Sequence, residues 1–533
     1  MKHTGPASQA SLEELERSAR AALAQGDLLT ATTAAKALVL QDRDRPGGYF
    51  LLGIAAAEIG QFDKAVPLLG AAVERGPQAE HLAQLARVLS LLRRDGEAAK
   101  ATRQALALEP DDPHTLDTIG CVLTRLGDHE SAAGLFRKAV AAKSENLEYR
   151  YNLAAASGFI GDVAEARAQY EAIVAADACN ARAHYGLALL SRQTPQANHV
   201  PRLKAALVRA DKQDDALRIR YALAKELEDL GEPEAFDHLR AANDRHKRKI
   251  QYEFAQDAAI FDAIETLFAG SPPALASGPG NPEASPIFIV GMPRTGTTLV
   301  DRILSSHSQV GSAGELQAMP LAVKRLARTT SRTVIDPETV AASGGITPRR
   351  IGDAYLAEAA HHRPKATPRF TDKLPANSLY VGHIARALPN ARIVCLRRNP
   401  MDTVWSNYKN LFASQSGFYA YSYDLMDTAR YYARFHQLMA LWDRLFPGRV
   451  LQLSYEELVG DQVAQTQRLL DHCGLDWEDA CLSFHENRSA VATPSAAQVR
   501  RPLNADGIGQ WRRHARQLEP VRQWFEQQGI TPD

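Results

Sequence analysis

Little in this 533-residue chain points to covalent cross-links, a membrane or a partner of one charge sign. Its five cysteines (Cys121, Cys179, Cys395, Cys473 and Cys481) form neither a paired framework nor a metal-ligand spacing. Lysine plus arginine equal aspartate plus glutamate at 62 each, so no global charge marks a nucleic acid or a lipid surface as partner. No apolar signal segment opens the chain, and no apolar run approaches the length of a membrane span. These absences predict a reduced, cytoplasmic protein whose electrostatic function is local. The length exceeds what one core serves, so two or three domains are expected.

What the first half does contain is a period. Gly26, Gly60, Arg94, Gly127 and Gly161 recur at spacings of 34, 34, 33 and 34. A small residue follows each, at Ala31, Ala65, Ala99, Ala132 and Ala166, and Gly53, Gly120 and Ala154 precede three of the turns by seven residues. Glycine suits the turn between antiparallel helices, and alanine lets those helices approach closely. The pattern resembles tetratricopeptide repeats over about residues 12 to 190, with a weaker terminal copy near Leu230–Ala235. Such a solenoid offers a concave surface to a peptide or protein partner. Homodimerisation or scaffolding is the competing use, since a repeat fixes architecture and not ligand. Ile250, Phe254, Phe261, Ile264 and Phe268 then mark an amphipathic connecting helix, and the proline- and glycine-rich stretch from Ser271 to Ser285 reads as linker. The expected division is therefore a helical array over 1–245, a connector over 246–285 and a second domain over 286–533.

The second domain begins with one more absence. Pro286-Ile-Phe-Ile-Val-Gly-Met-Pro-Arg-Thr-Gly-Thr-Thr298 reads as a buried strand, a glycine-bearing turn and a helix start, the layout that aims backbone N–H groups at an anion. A nucleotide triphosphatase loop carries lysine before its final hydroxyl residue, to reach the outer phosphates. Here Thr297 stands at that place, and the basic residue has moved inside the loop to Arg294. A phosphate-bearing donor held without a metal clamp fits this arrangement, and sulfuryl transfer is the matching chemistry.

Short apolar runs alternating with helical segments predict an α/β domain with a parallel sheet. The run 368–371 ends in Asp372-Lys373, and the run 391–396 ends in Arg397-Arg398 ahead of a helix that contains Ser406. Ligands sit beyond the carboxyl ends of such strands, so Arg294, Lys373 and Arg398 are expected to share one crevice. Together with Gly314-Glu315, these motifs resemble the sulfotransferase family, in the style of its tyrosylprotein branch, over about residues 286 to 515. The combination with repeats is similar to that of a group of bacterial proteins.

The resemblance implies 3′-phosphoadenosine 5′-phosphosulfate as co-substrate, a hydroxyl-bearing acceptor (peptide tyrosine, glycan or small phenol) and no metal. It implies the 5′-phosphosulfate on Arg294, Thr295, Gly296, Thr297 and Thr298, and the 3′-phosphate on Arg398 and Ser406. A late basic residue, Arg501 or its neighbour Arg500, would close over the donor. Glu315 is the implied base, with Lys373 and Arg294 on the leaving side and His307 as the rival base. Tyr455 reads as packing, and the aromatic loop 417–423 and polar stretch 329–350 read as acceptor-side or solvated loops. A divergent phosphate-loop kinase or hydrolase, and a repeat scaffold with an idle nucleotide domain, are the alternatives. Absence of the phosphate-loop lysine opposes the first; the joint presence of Arg294, Lys373 and Glu315 opposes the second.

Overall fold

Close helix packing in the first half is set by residues too small to hold neighbours apart. In the computed structural model, which describes residues 6–269, 275–412, 417–487, 489–491 and 498–532, Ala31, Ala65, Ala132 and Ala166 are fully buried. A Cβ on Gly53 would meet Leu69 Cγ at 2.7 Å, and one on Gly120 would meet Phe136 Cε1 at 2.5 Å. These glycines are spaces into which the partner helix inserts a side chain. Gly26, Gly60, Gly127 and Gly161 all adopt left-handed φ at the turns between helices, where glycine carries no steric cost. The third turn departs by one residue from the sequence expectation. Arg93, not Arg94, has positive φ, and Ala98 takes the place read for Ala99 as the buried contact after the turn. The true turn spacings are therefore 34, 33, 34 and 34 for residues 26, 60, 93, 127 and 161.

The chain separates into two compact units, Met1–Ala172 and Ile173–Asp533. The first is all helical. In the second, the helical hairpin Gln213–Leu230 and Glu234–Ile250 turns at Gly231, the terminal copy read from the sequence. One apolar face, with Leu217, Tyr221, Phe236 and Leu239, belongs to the same hydrophobic core as the sheet that follows, while Ile219, Leu223 and Leu227 pack with the helices before it. The packing division and the repeat period are thus different partitions of the chain. The expected connecting helix is two helices: the chain breaks at Gln251, in left-handed conformation, and resumes as Ala255–Ala269. Its aromatic stripe is packing, with Phe261 edge-on to Tyr431 and Phe268 edge-on to Trp442. Residues 270–274 of the expected linker lie outside the described residues. The rest of it is pinned by backbone hydrogen bonds from Ala276 to Gly344 and from Asn281 to Ala387.

The sheet has five parallel strands, β1 (Pro286–Gly291), β2 (Val310–Ser312), β3 (Arg369–Asp372), β4 (Arg392–Arg397) and β5 (Val450–Ser454), in the order β2-β3-β1-β4-β5. Residues 286–291 are buried throughout, as a central strand covered on both faces requires. The chain leaves β1 toward β3 on one side and returns to β4 on the other, which makes the carboxyl end of β1 the topological switch point.

Two glycine substitutions should move stability in opposite directions. Gly134, inside a helix with nothing within 4 Å of an added Cβ, should gain about 0.5–1 kcal/mol as alanine. Gly120→Ala should lose about 1–3 kcal/mol by colliding with Phe136. Denaturant midpoints of the two variants test this.

Candidate functional site

All five strands deliver a chemically distinctive residue just past their carboxyl ends: Arg294 after β1, Glu315 after β2, Lys373 after β3, Arg398 after β4 and Tyr455 after β5. Strand order then arranges them along one edge as Glu315, Lys373, Arg294, Arg398, Tyr455. Parallel neighbours lie about 4.8 Å apart, so this edge runs roughly 20 Å from end to end.

At the switch point the loop after β1 turns on Gly291 and Gly296, both at positive φ. A Cβ on Gly291 would meet the Leu396 carbonyl at 2.8 Å, and one on Gly296 would meet the Tyr455 ring at 2.9 Å. Arg294 itself has φ of 65°, uncommon for a residue with a side chain. The turn leads directly into the helix Thr297–Ser305, whose first N–H groups have no intrahelical acceptor. The Thr295 hydroxyl donates to the Met292 carbonyl at 2.8 Å and so braces the loop from within. Thr297 and Thr298 are buried at the helix start.

Arg398 ties this loop to three other stretches. Its guanidinium donates to the Arg294 carbonyl at 2.8 Å, to Ser406 Oγ at 3.1 Å and to the Gly507 carbonyl, and it lies 5.1 Å above the Tyr455 ring. The remaining Nε is buried without an acceptor among the described residues. Ser406 comes from the helix Pro400–Tyr408, started by Pro400 in its first turn and capped by Asn399, whose side chain accepts from Asp402 N at 3.0 Å. The two arginines stand close together. Burial, reinforced by the charge of Arg398, lowers the Arg294 pKa to about 10. Two cations held together in a desolvated loop favour a shared anion.

Toward the other end, Lys373 is 3% exposed and its ammonium is paired with Glu315, which is 44% exposed. The Lys373 backbone N–H donates to the Gly314 carbonyl at 2.9 Å, fixing the two strand ends side by side. The helix after Glu315 starts at Ala318, so Glu315 sits in the loop and not in a helical first turn. Behind the pair, Asp372 accepts from Tyr355 OH at 3.2 Å; burial pushes its pKa up to about 8. Asp301, buried and accepting from Ser312 and Thr371, is also raised by burial, with Lys373 opposing the shift. Tyr419 of the aromatic loop lies close enough for the Glu315 charge to add to the rise that burial imposes on its phenol. In the polar stretch, Lys324 and Asp336 pair at 3.2 Å within a cluster of hydroxyls, a structural knot.

Two further expectations can be located. His307 accepts from Gln309 N at 3.1 Å through Nδ1, which leaves Nε2 to donate to the Asp476 carbonyl at 3.0 Å; both nitrogens brace the fold. Arg501 is turned outward, 62% exposed, and faces Asp506 at 3.5 Å. Among the described residues of its segment, Gln498 accepts from Arg294 at 3.4 Å and the Gly507 carbonyl accepts from Arg398. Sequence reasoning did not single out Asp402. Its carboxylate accepts from Gly509 N at 2.6 Å and Trp511 N at 3.1 Å, anchoring the C-terminal segment over the site. The signal was present in Asn-Pro-x-Asp, but an acid in a helical first turn ordinarily reads as a dipole partner.

Parts of the chain are similar to known proteins. Residues 286–479 match the model of the sulfotransferase family, and residues 17–80, 50–113 and 159–197 match a tetratricopeptide-repeat model. An uncharacterized protein of Aquifex aeolicus is 33% identical over 290 residues, which cover 54% of this chain and 38% of that one. Protein-tyrosine sulfotransferase A of Caenorhabditis elegans is 25% identical over 296 residues, 52% of this chain and 74% of its own. Protein-tyrosine sulfotransferase 1 of Danio rerio is 24% identical over 234 residues, 42% of this chain and 65% of its own. Among solved structures, the TPR protein YrrB aligns with 39% of the chain at 16% identity and a TM-score of 0.29. The chain thus carries stretches similar to tetratricopeptide repeats and one stretch similar to the sulfotransferase family.

The Asp372 carboxyl yields a prediction that is independent of activity. Its folded-state pKa of about 8 lies above the ordinary carboxyl value. Between about pH 4 and 8 the unfolded chain releases a proton that the folded chain retains, so this group costs stability as pH rises through that window. Asp372→Asn removes the dependence. Whatever constant offset the amide introduces, the thermal midpoint of the variant should rise relative to the parent between pH 5 and pH 8.

Proposed function

We propose that the second unit transfers a sulfuryl group from 3′-phosphoadenosine 5′-phosphosulfate to a hydroxyl acceptor. The observation that carries this reading is the order of groups along the sheet edge: carboxylate, ammonium, phosphate loop with Arg294, then Arg398 with Ser406. That order matches the needs of the reaction from one end to the other. An acceptor hydroxyl requires a proton acceptor, and Glu315 is partly open to solvent beside its ion-pair partner, Lys373. The leaving phosphate requires cations, and Lys373 and Arg294 flank its place. The 3′-phosphate requires a second, separate anion site about one strand further, where Arg398 retains an orphaned buried N–H.

In the step itself the sulfur–oxygen bond to the leaving phosphate breaks, and its electron pair stays on the phosphate oxygen. A sulfur–oxygen bond to the acceptor forms, and the acceptor proton passes to Glu315. The contribution of the protein is positioning, charge stabilisation and proton removal. The Lys373 ammonium, held by Glu315 in the ligand-free pair, is freed to meet the leaving oxygen as Glu315 turns to the acceptor. Peptide tyrosine is one candidate acceptor, on the strength of the names of the relatives; Tyr419 beside Glu315 would suit an aromatic one. The repeat array serves a peptide or protein partner in this reading.

Thermal unfolding separates this donor class from a kinase reading. Adenosine 3′,5′-bisphosphate alone should raise the midpoint, because a ligand that binds only the folded state stabilises it; a rise with magnesium-ATP and none with the bisphosphate would refute the proposal. With a phenolic acceptor, Glu315→Gln should lower kcat about 100- to 10,000-fold at a temperature where parent and variant are both folded. Turnover equal to the parent would remove Glu315 from the base role.

A further inference from the structure

The helix Pro400–Tyr408, which carries Ser406, has nine residues and few means of holding its own position. Its fixings come from far away in sequence. The Tyr408 carbonyl, one of the last-turn acceptors a helix cannot satisfy internally, takes a hydrogen bond from Asn243 Nδ2 at 3.0 Å. Asn243 is fully buried, and Tyr221 OH donates to its Oδ1, which fixes the orientation of the amide. Phe236 stacks on Trp405 with ring centroids 6.0 Å apart and planes within 13°. At the helix end, the Lys409 ammonium bridges Glu228 Oε1 at 2.7 Å and Gln510 Oε1 at 2.8 Å.

Tyr221, Glu228, Phe236 and Asn243 all lie on the hairpin Gln213–Leu230 and Glu234–Ile250. Gln510 lies on the C-terminal segment whose Gly507 carbonyl accepts from Arg398. The hairpin therefore grips both structural supports of the Arg398–Ser406 pair, the helix under it and the segment over it. The pair meets at 3.1 Å, a separation that a displacement of about 1 Å in the helix would break.

We propose that Asn243 and Glu228 are positioning residues for the 3′-phosphate half of the donor site, so that the terminal repeat hairpin is a working part of that site. The inference rests on the donor reading above, and it makes a narrower claim. The hairpin acts first on the 3′-phosphate half, because its contacts fall on the helix that carries Ser406 and on Gln510; the phosphate loop feels the same helix at one remove, through Asn407 Nδ2, which donates to the Pro293 carbonyl at 2.9 Å.

The test compares two nucleotides on the full chain by calorimetry: adenosine 3′,5′-bisphosphate, and adenosine 5′-monophosphate, which lacks the 3′-phosphate. Asn243→Ala and Glu228→Ala should each weaken the bisphosphate about tenfold and the monophosphate by much less. Glu228→Gln, which retains a hydrogen bond to Lys409, should recover part of the loss. Equal weakening of both nucleotides would mean general loosening of the fold and would overturn the proposal, as would no change in either. Should Asn243→Ala fail to fold, the two partly exposed Glu228 variants carry the comparison alone. A parent chain that binds both nucleotides equally would instead overturn the donor reading, and this inference with it.

Discussion

The second unit depends on what one guanidinium can reach. Arg398 lies at the end of β4, and its planar fork meets a carbonyl 104 residues earlier, a hydroxyl eight residues later and a carbonyl 109 residues later. The Tyr455 ring supplies its stacking surface and also closes the space beside Gly296. Four stretches with no local reason to meet are thereby held around the phosphate loop. A lysine could not do this: its ammonium is a single point on a flexible stem, whereas the arginine fork sends donors in fixed, divergent directions. The glycine at 296 follows from the same constraint, because any side chain there would displace the tyrosine that supports the arginine.

The two ends of the sheet edge treat charge differently. At the Glu315 end, the buried Lys373 ammonium is balanced within the chain by a partly exposed carboxylate. At the Arg398 end, burial lowers the Arg294 pKa, and the charge of Arg398 adds to the shift. Like charges brought together under burial are tolerated where an anion relieves them. The carboxyls behind the edge follow the same logic. Burial drives both Asp372 and Asp301 toward their neutral forms. They accept hydrogen bonds from Tyr355, Ser312 and Thr371 behind the edge.

Much of this was readable from residues in a row. The strand–loop–helix segment, the two later strand ends and the repeat turns each combine a short motif with a period, and both survive folding unchanged. The failures have a common cause. Arg93 took the turn from Arg94 because a one-residue shift in period leaves the alanine-rich pattern nearly intact. The helix break at Gln251 was invisible because the apolar spacing continues across it. Residues that act through space left still less trace. Gly507 contributes a backbone carbonyl, Gln498 and Gln510 an ordinary amide, and Asp402 a carboxylate indistinguishable from a helix-dipole partner. None has a local pattern that sets it apart, and Arg501, which had one by resemblance, points to solvent.

The terminal repeat hairpin shows why such residues matter. A repeat helix ordinarily buries one face on its neighbour and ends in a polar cap. Here the face that a cap would expose carries Tyr221, Phe236 and Asn243, which share the core of the sheet domain. Burying an asparagine at that interface is costly unless each polar atom is matched, and Tyr221 and the Tyr408 carbonyl supply the match. The match is directional, so it fixes the register of the nine-residue helix along its axis, which apolar packing alone would leave free to slide. Linkage makes the consequence symmetric: if the register of that helix favours an anion at Arg398, an anion at Arg398 must equally favour the register, and with it the seating of the hairpin.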